Sequence, residues 1–350
     1  MQYGFSIKRK CYLLSVLLMT VWLTGCVQEE FESTPSPAGN GIRFTLTVPD
    51  VNLPSVSSRT MTGTGTAKKE DEIETVDILV FDMSKTPAVF LEWVSATGVT
   101  QDLADNSTVS FSAVLSPTTA STCIVVVANK ELDNIVSGFT KGATTKVEAM
   151  EKMLHTQTGK WLADGSTTGG YTRIPMYGEK VISKITPSMD PITGINMKRM
   201  LVRIDIRNNS ATSNFTVEEV YLANYNTTGY IAPAWNTNGQ VTEPAPDTPV
   251  LPTGSGKMTE EGNAILYSVN GKTLYDGEIY TFESLAAEDA GGAGQDGEAS
   301  RKDATCLIVK GKIGTGESTF YRVDFTKNGN TGEQVEYLPL KRNHKYIITI

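Results

Sequence analysis

The chain has 350 residues, 39% of them hydrophobic, with 31 basic against 39 acidic side chains and a formal charge of -8. That length suffices for two ordinary domains with cores of their own, and an acidic surface repels nucleic acid and anionic lipid headgroups, so no nucleic acid is expected as a partner. With two histidines and four cysteines in the whole sequence, the side chains that build metal centres and catalytic triads are scarce.

Lys8, Arg9 and Lys10 precede an apolar run from Leu13 to Trp22, followed by Leu23, Thr24, Gly25 and Cys26. A basic start, a short apolar centre and small residues at the end describe a secretory signal over residues 1–25, too short to cross a bilayer. Its loss takes the formal charge from -8 to -11, since residues 1–25 hold no acid. The Leu-Thr-Gly-Cys ending resembles the bacterial lipobox, which implies that Cys26 becomes the lipidated first residue. Acyl chains add about 0.8 kcal/mol of membrane attachment per buried CH2, so multiple acylation holds a soluble domain on lipid. Gln28, Glu29 and Glu30 resemble the acidic tag of lipoproteins exported to the outer face.

Residues 26–41, rich in Ser, Pro, Thr and Gly, suit a flexible tether. Residues 42–48 (IRFTLTV) then alternate strictly and read as a half-buried strand with Ile42, Phe44, Leu46 and Val48 inward. The pattern lapses over residues 51–69, where Pro54, Gly63 and Gly65 mark a long loop. Further strands are predicted at residues 73–81, 89–94, 108–115, 123–128, 180–185, 201–206, 215–223, 266–269, 278–285, 306–313 and 320–325. Thr145 and Glu148 form a capping-box pattern, and Val147, Met150 and Leu154 share a face, so one short helix is predicted over 145–155. A chain of this kind is all-β, and antiparallel sandwiches are its natural architecture. Pro187, Pro191 and Gly194 read as a hinge between an N-terminal domain at 42–190 and a C-terminal domain at 191–350. Residues 226–263 and 288–302 read as polar loops of the second. The last stretch, EYLPLKRNHKYIITI, turns at Lys341 to His344 and runs into a strand over 346–350 with no charged stop. An uncovered strand edge recruits another strand, so this ending raises the question of a partner.

Little here announces chemistry. His155, at the end of the predicted helix, reads as a surface residue and His344 as a turn residue, neither at metal-ligand spacing. Gly292, Gly294 and Gly297 match G-x-G-x-x-G without the strand before or helix after, and Glu288, Asp289, Asp296 and Glu298 would repel a phosphate. The same acids lack the spacing of a calcium loop. Trp161, Tyr230 and Trp235 could stack on a sugar but read first as core or rim residues. Cys123 and Cys306 lie in apolar runs as small buried hydrophobes, and a disulfide between them stays open. No catalytic, metal or cofactor residue is assigned, and no enzyme is expected.

Several stretches nevertheless fall in a telling order: signal and lipobox, strand 42–48, "SSRT" (57–60), "EIETVDILVFD" (72–82), "TCIVVVANK" (122–130), "IPMYGE" (174–179), "KRMLVRIDI" (198–206), "YTFES" (280–284) and "LKRNHKYIITI" (340–350). In this order the chain resembles the Bacteroidales fimbrillin family, the type V pilin or Mfa-like fimbrial subunit lipoproteins, over almost all of the mature sequence. The resemblance implies two transthyretin-like, Greek-key β-sandwich domains with the short helix in the first.

It also implies a cell-surface fimbrium at the outer membrane and assembly with other fimbrial subunits, with adhesion to host or bacterial surfaces. An arginine-specific protease would cut between Arg59 and Thr60, Arg59 being the only arginine between Arg43 and Arg173. The lipid and the strand carrying Ile42, Phe44, Leu46 and Val48 would then leave, and a strand of the next subunit would fill the trench. Stalk subunits of the family continue beyond the strand matching residues 346–350 with a donor arm. Two readings of the ending stay open: the sequence stops short of that arm, or the subunit accepts a strand without giving one, as a terminal or anchoring subunit would. The alternative from another class is a stand-alone surface lipoprotein that binds glycan or host protein.

Overall fold

The computed structural model describes residues 41–49, 69–101, 108–162, 172–208, 213–254, 257–258, 263–268, 274–287, 302–327 and 336–350, and residues 41–350 form one compact unit. In chain order the first part contributes β1 (Ile42–Thr47), β2 (Val76–Asp82), β3 (Val89–Ser95), β4 (Thr97–Gln101), β5 (Thr108–Ala113) and β6 (Thr122–Ala128). Two helices follow, α1 (Asp133–Val136) and α2 (Lys146–Lys152), then β7 (Leu154–Thr156), β8 (Met176–Ile182), β9 (Ile192–Asn196) and β10 (Lys198–Arg199). The later part contributes β11 (Val202–Arg207), β12 (Phe215–Ala223), β13 (Tyr225–Asn226), β14 (Thr228–Tyr230), β15 (Lys257–Met258), β16 (Ile265–Ser268), β17 (Leu274–Thr281), β18 (Cys306–Ile313), β19 (Thr319–Val323) and β20 (Lys345–Thr349).

These strands make two sandwiches on one plan. In the first, a sheet ordered β4-β5-β1-β9 faces a sheet ordered β10-β8-β6-β2-β3; in the second, β17-β11-β20 faces β16-β12-β18-β19. The first strand of each, β1 or β11, lies between an antiparallel neighbour (β5 or β17) and a parallel one (β9 or β20). Opposite it, β3-β2-β6-β8 matches β16-β12-β18-β19 strand for strand, every pair antiparallel. Seven strands in the same sequence and pairing thus occur twice, the Greek-key arrangement expected of this all-β chain.

Three cores follow from the patterning. Between the first pair of sheets pack Phe44, Leu46, Ile78, Val80, Ile124 and Val126, and between the second pair Val202, Ile204, Val220, Leu222, Leu307 and Val309. A third core covers the other face of β2 and β6, where Leu79, Phe81, Val125 and Val127 meet Met150 of α2 and Ile231, Tyr280 and Phe282 of the later part. That double burial is why β2 and β6 read as unbroken apolar runs where a sheet with one wet face would alternate. The third core also joins the two sandwiches.

Local signals set several boundaries. Thr145 caps α2, its side chain accepting from the Glu148 N–H at 3.2 Å while the Glu148 carboxylate accepts from the Thr145 N–H at 2.8 Å. The helix ends at Lys152 and not near residue 155, because Leu154–Thr156 pairs as β7 with β14. β8 begins four residues before the predicted 180, its inward Met176 and Tyr177 followed by Gly178, which breaks the alternation. β17 runs over Leu274–Thr281, where the sequence pattern suggested 278–285. The stretch around Pro187 to Gly194, expected as a hinge, leads into β9 beside β1, and the chain passes to the second sandwich between Arg199 and Val202.

Candidate functional site

The site is the slot that β1 fills. Its alternating sequence sends Ile42, Phe44, Leu46 and Val48 inward, at 5%, 1%, 0% and 3% exposure, and turns Arg43 to solvent. Beside it on β5, Ala113, Phe111 and Val109 lie opposite Ile42, Phe44 and Leu46. On β9, Ile192 and Ile195 flank Phe44 and Leu46, with a shift of register between them. The Phe44 and Phe111 rings stack 4.9 Å apart with planes 7° from parallel. Burying four such side chains contributes up to about 6–12 kcal/mol, at about 1.5–3 kcal/mol each. An empty slot would therefore expose a deep apolar trench walled by β5, β9 and the facing sheet.

At the far end of β1 the chemistry turns polar. The Thr47 carbonyl accepts from the Met197 N–H at 2.8 Å, and two residues on the Pro49 carbonyl accepts from Arg199 Nη1 at 2.9 Å. Arg199 is 3% exposed, and its guanidinium also grips the chain where it re-enters the fold: Nε donates to the Glu70 carbonyl at 3.3 Å and Nη2 pairs with the Asp71 carboxylate. From the second sandwich, Asn343 Oδ1 accepts from Arg199 Nη1 at 2.9 Å and from its N–H at 3.3 Å. Asn343 adopts φ 56°, a left-handed turn position that Asn tolerates better than most residues.

Behind this contact lies a buried ionic cluster. The Glu70 carboxylate accepts from Arg203 Nη1 at 2.9 Å and from the Tyr280 hydroxyl at 2.9 Å. Arg203 forks onto Asp205 at 2.8 and 3.0 Å, and Asp205 also accepts from the Gly277 N–H at 2.9 Å. Burial, followed by the Glu70 carboxylate, raises the Tyr280 phenol well above its ordinary range, so it acts as a neutral donor. Removing one charged member would leave its partner buried and uncompensated, a strongly destabilising change.

Among the residues anticipated from sequence, Ile42, Phe44, Leu46 and Val48 come together in one core, while Cys26, Arg59 and Thr60 lie outside the described residues. So do Glu288, Asp289, Asp296 and Glu298, and among the described residues no group of three or more His, Cys, Asp and Glu side chains could hold a metal ion. Cys123 and Cys306 are buried thiols that no disulfide joins, and burial lifts the Cys123 thiol to about 12. His155 is half-buried and not a freely exposed surface residue: it packs 5.2 Å from Trp161 and 6.3 Å from Phe282, and burial lowers its pKa to about 4. Trp161 is itself buried, whereas Tyr230 and Trp235 pack edge to face at 5.0 Å. His344 Nδ1 lies 2.7 Å from the Arg342 carbonyl, and burial lowers its pKa.

Arg199, Glu70 and Asn343 were not anticipated. One signal was present: Arg203 and Asp205 alternate with Val202, Ile204 and Ile206, too polar for a core and too enclosed by apolar residues for a wet face.

A tandem sandwich whose opening strand is enclosed by its own neighbours is the class of protein this geometry defines. Residues 42–213 match the family model described as "Major fimbrial subunit protein (FimA)", and this stretch, just under half of the chain, belongs to the fimbrial-subunit, or fimbrillin, family. Among solved structures it is similar to the tip fimbrial protein Mfa3 from Porphyromonas gingivalis with C-terminal truncation, at 15% identity over 88% of this chain and 94% of that one, TM-score 0.48. It is similar also to a putative cell adhesion protein from Parabacteroides distasonis, at 16% identity over 89% and 88% of the two chains, TM-score 0.46. A fimbrial assembly protein from Parabacteroides distasonis matches at 11% identity over 88% and 90%, TM-score 0.43. No curated protein sequence matches the chain significantly.

Proposed function

We propose that the protein is a structural subunit of a cell-surface fimbria, exported as a lipoprotein through Cys26 and assembled by strand replacement at the outer membrane. An arginine-specific protease cuts after Arg59, β1 leaves with the lipid, and a strand of a neighbouring subunit enters the trench. The observation that carries this reading is the setting of β1: the inward side chains of residues 42, 44, 46 and 48 are almost wholly buried, and the strand lies between β5 and β9. A strand so placed is a stable plug while attached, and its loss creates a strong apolar demand for a successor.

The test is treatment of the full chain with an arginine-specific protease, followed by electrophoresis in cold detergent. A ladder of oligomers that disappears in Arg59→Ala supports the reading, and a cleaved product that stays monomeric refutes it. A stand-alone lipoprotein that binds glycan is the second reading, favoured by Phe320 at 60% exposure beside Tyr221 on the outer face of the second sandwich. Binding on a glycan array that falls with Phe320→Ala would support it.

A further inference from the structure

We propose that Arg199 sets the register of whatever strand occupies the β1 position, through the backbone carbonyl at the place of Pro49. This rests on strand replacement as proposed above and adds what the incoming strand must carry. The Thr47 and Pro49 carbonyls are two residues apart, so in an extended chain they point to the same edge. The first meets a backbone donor, the Met197 N–H, and the second a side-chain donor, Arg199 Nη1. Arg199 thus extends by one rung the row of donors that β9 begins.

The rung is rigidly mounted. Asn343, Glu70 and Asp71 hold the guanidinium from three other directions, leaving one Nη1 contact for the occupant of the slot. A strand one residue out of register would turn its carbonyl away and its apolar side chains outward. One that stops at the place of Val48 would leave a buried cation short of an acceptor, which costs more than an ordinary lost hydrogen bond. Proline at position 49 agrees with this role, since the position contributes a carbonyl and needs no N–H.

Pro49 also lines a cleft of about 530 Å3 with Gly178, Asn196, Lys198, Val241 and Asn343. The partner that fits is an extended segment of a second polypeptide running as β1 does, antiparallel to β5 and parallel to β9. It carries apolar residues at the places of 42, 44, 46 and 48, and one further residue whose carbonyl reaches Arg199.

The experiment uses the full chain with a site-specific protease sequence inserted between residues 50 and 68, so that after cutting β1 is held only by its contacts. Labelled, amidated peptides of residues 41–49 and 41–48 then compete for the slot. The longer peptide is expected to bind about 10- to 100-fold more tightly than the shorter, with the difference abolished in Arg199→Ala. The comparison on the unaltered chain stands even where that variant does not fold. Equal affinity of the two peptides overturns the role of Arg199 while leaving strand replacement in place. Failure of both peptides to enter overturns the role of Arg199 and strand replacement together.

Discussion

Phe44→Ala puts the energetic claim about β1 to a direct test. The side chain is 1% exposed, stacked on Phe111 at 4.9 Å and walled by the facing sheet, so its removal leaves a cavity that the strands on either side cannot collapse to fill. Loss of a buried phenylalanine costs about 3–5 kcal/mol, and the near-parallel stack puts this position towards the upper part of that range. Arg43→Ala, one residue away on the solvent side of the same strand, should change stability by less than about 0.5 kcal/mol. Denaturant unfolding followed by fluorescence gives both numbers, and hydrogen exchange at the β5 amides shows whether the loss is local to the slot. If Phe44→Ala cost no more than Arg43→Ala, β1 would not be a core strand and the argument for an apolar trench would collapse.

Gly178→Ala should destabilise by about 1–3 kcal/mol, because its Cβ would stand 2.7 Å from Met197 Sδ and 2.8 Å from Ile195 Cγ2; a melting temperature equal to the parent's would contradict this. Burial lowers the pKa of His155 from 6.5 to about 4, so the unfolded chain takes up a proton at a higher pH than the folded one. The stability it contributes is complete above about pH 6.5 and is lost as pH falls towards 4, on the order of 2 kcal/mol for a partly exposed group. His155→Phe should flatten that slope, and unfolding curves at pH 7 and pH 4.5 decide it. Cys123 and Cys306 should resist alkylation at pH 8 in the native protein and react only after unfolding, as read residue by residue by peptide mass; native labelling of Cys123 would contradict its burial.

How far the sequence reveals this molecule depends on the range of the forces involved. β12 and β18 run from Phe215 to Ala223 and from Cys306 to Ile313 as their patterns predict, and the cap at Thr145 is written in four consecutive residues. β9 escapes because Ile192–Asn196 is short and carries Gly194 at φ 72°, features that read as a turn until β1 is placed beside it. His155 reads as a surface residue for a related reason: what covers it are Trp161 and Phe282, the latter more than a hundred residues away. The inward face of β1 was legible from strict alternation. The grip of Arg199 on Glu70 and Asn343 was not, since it spans 129 and 144 residues and no periodic pattern marks it.

Because β1 lies between two neighbours and not at the margin of its sheet, traction along its length loads the rungs of both ladders together, and they must yield together. An outermost strand opposes the same pull with one ladder in place of two. Whatever holds that place has a purchase that withstands lengthwise tension and gives way most readily to lifting from one end.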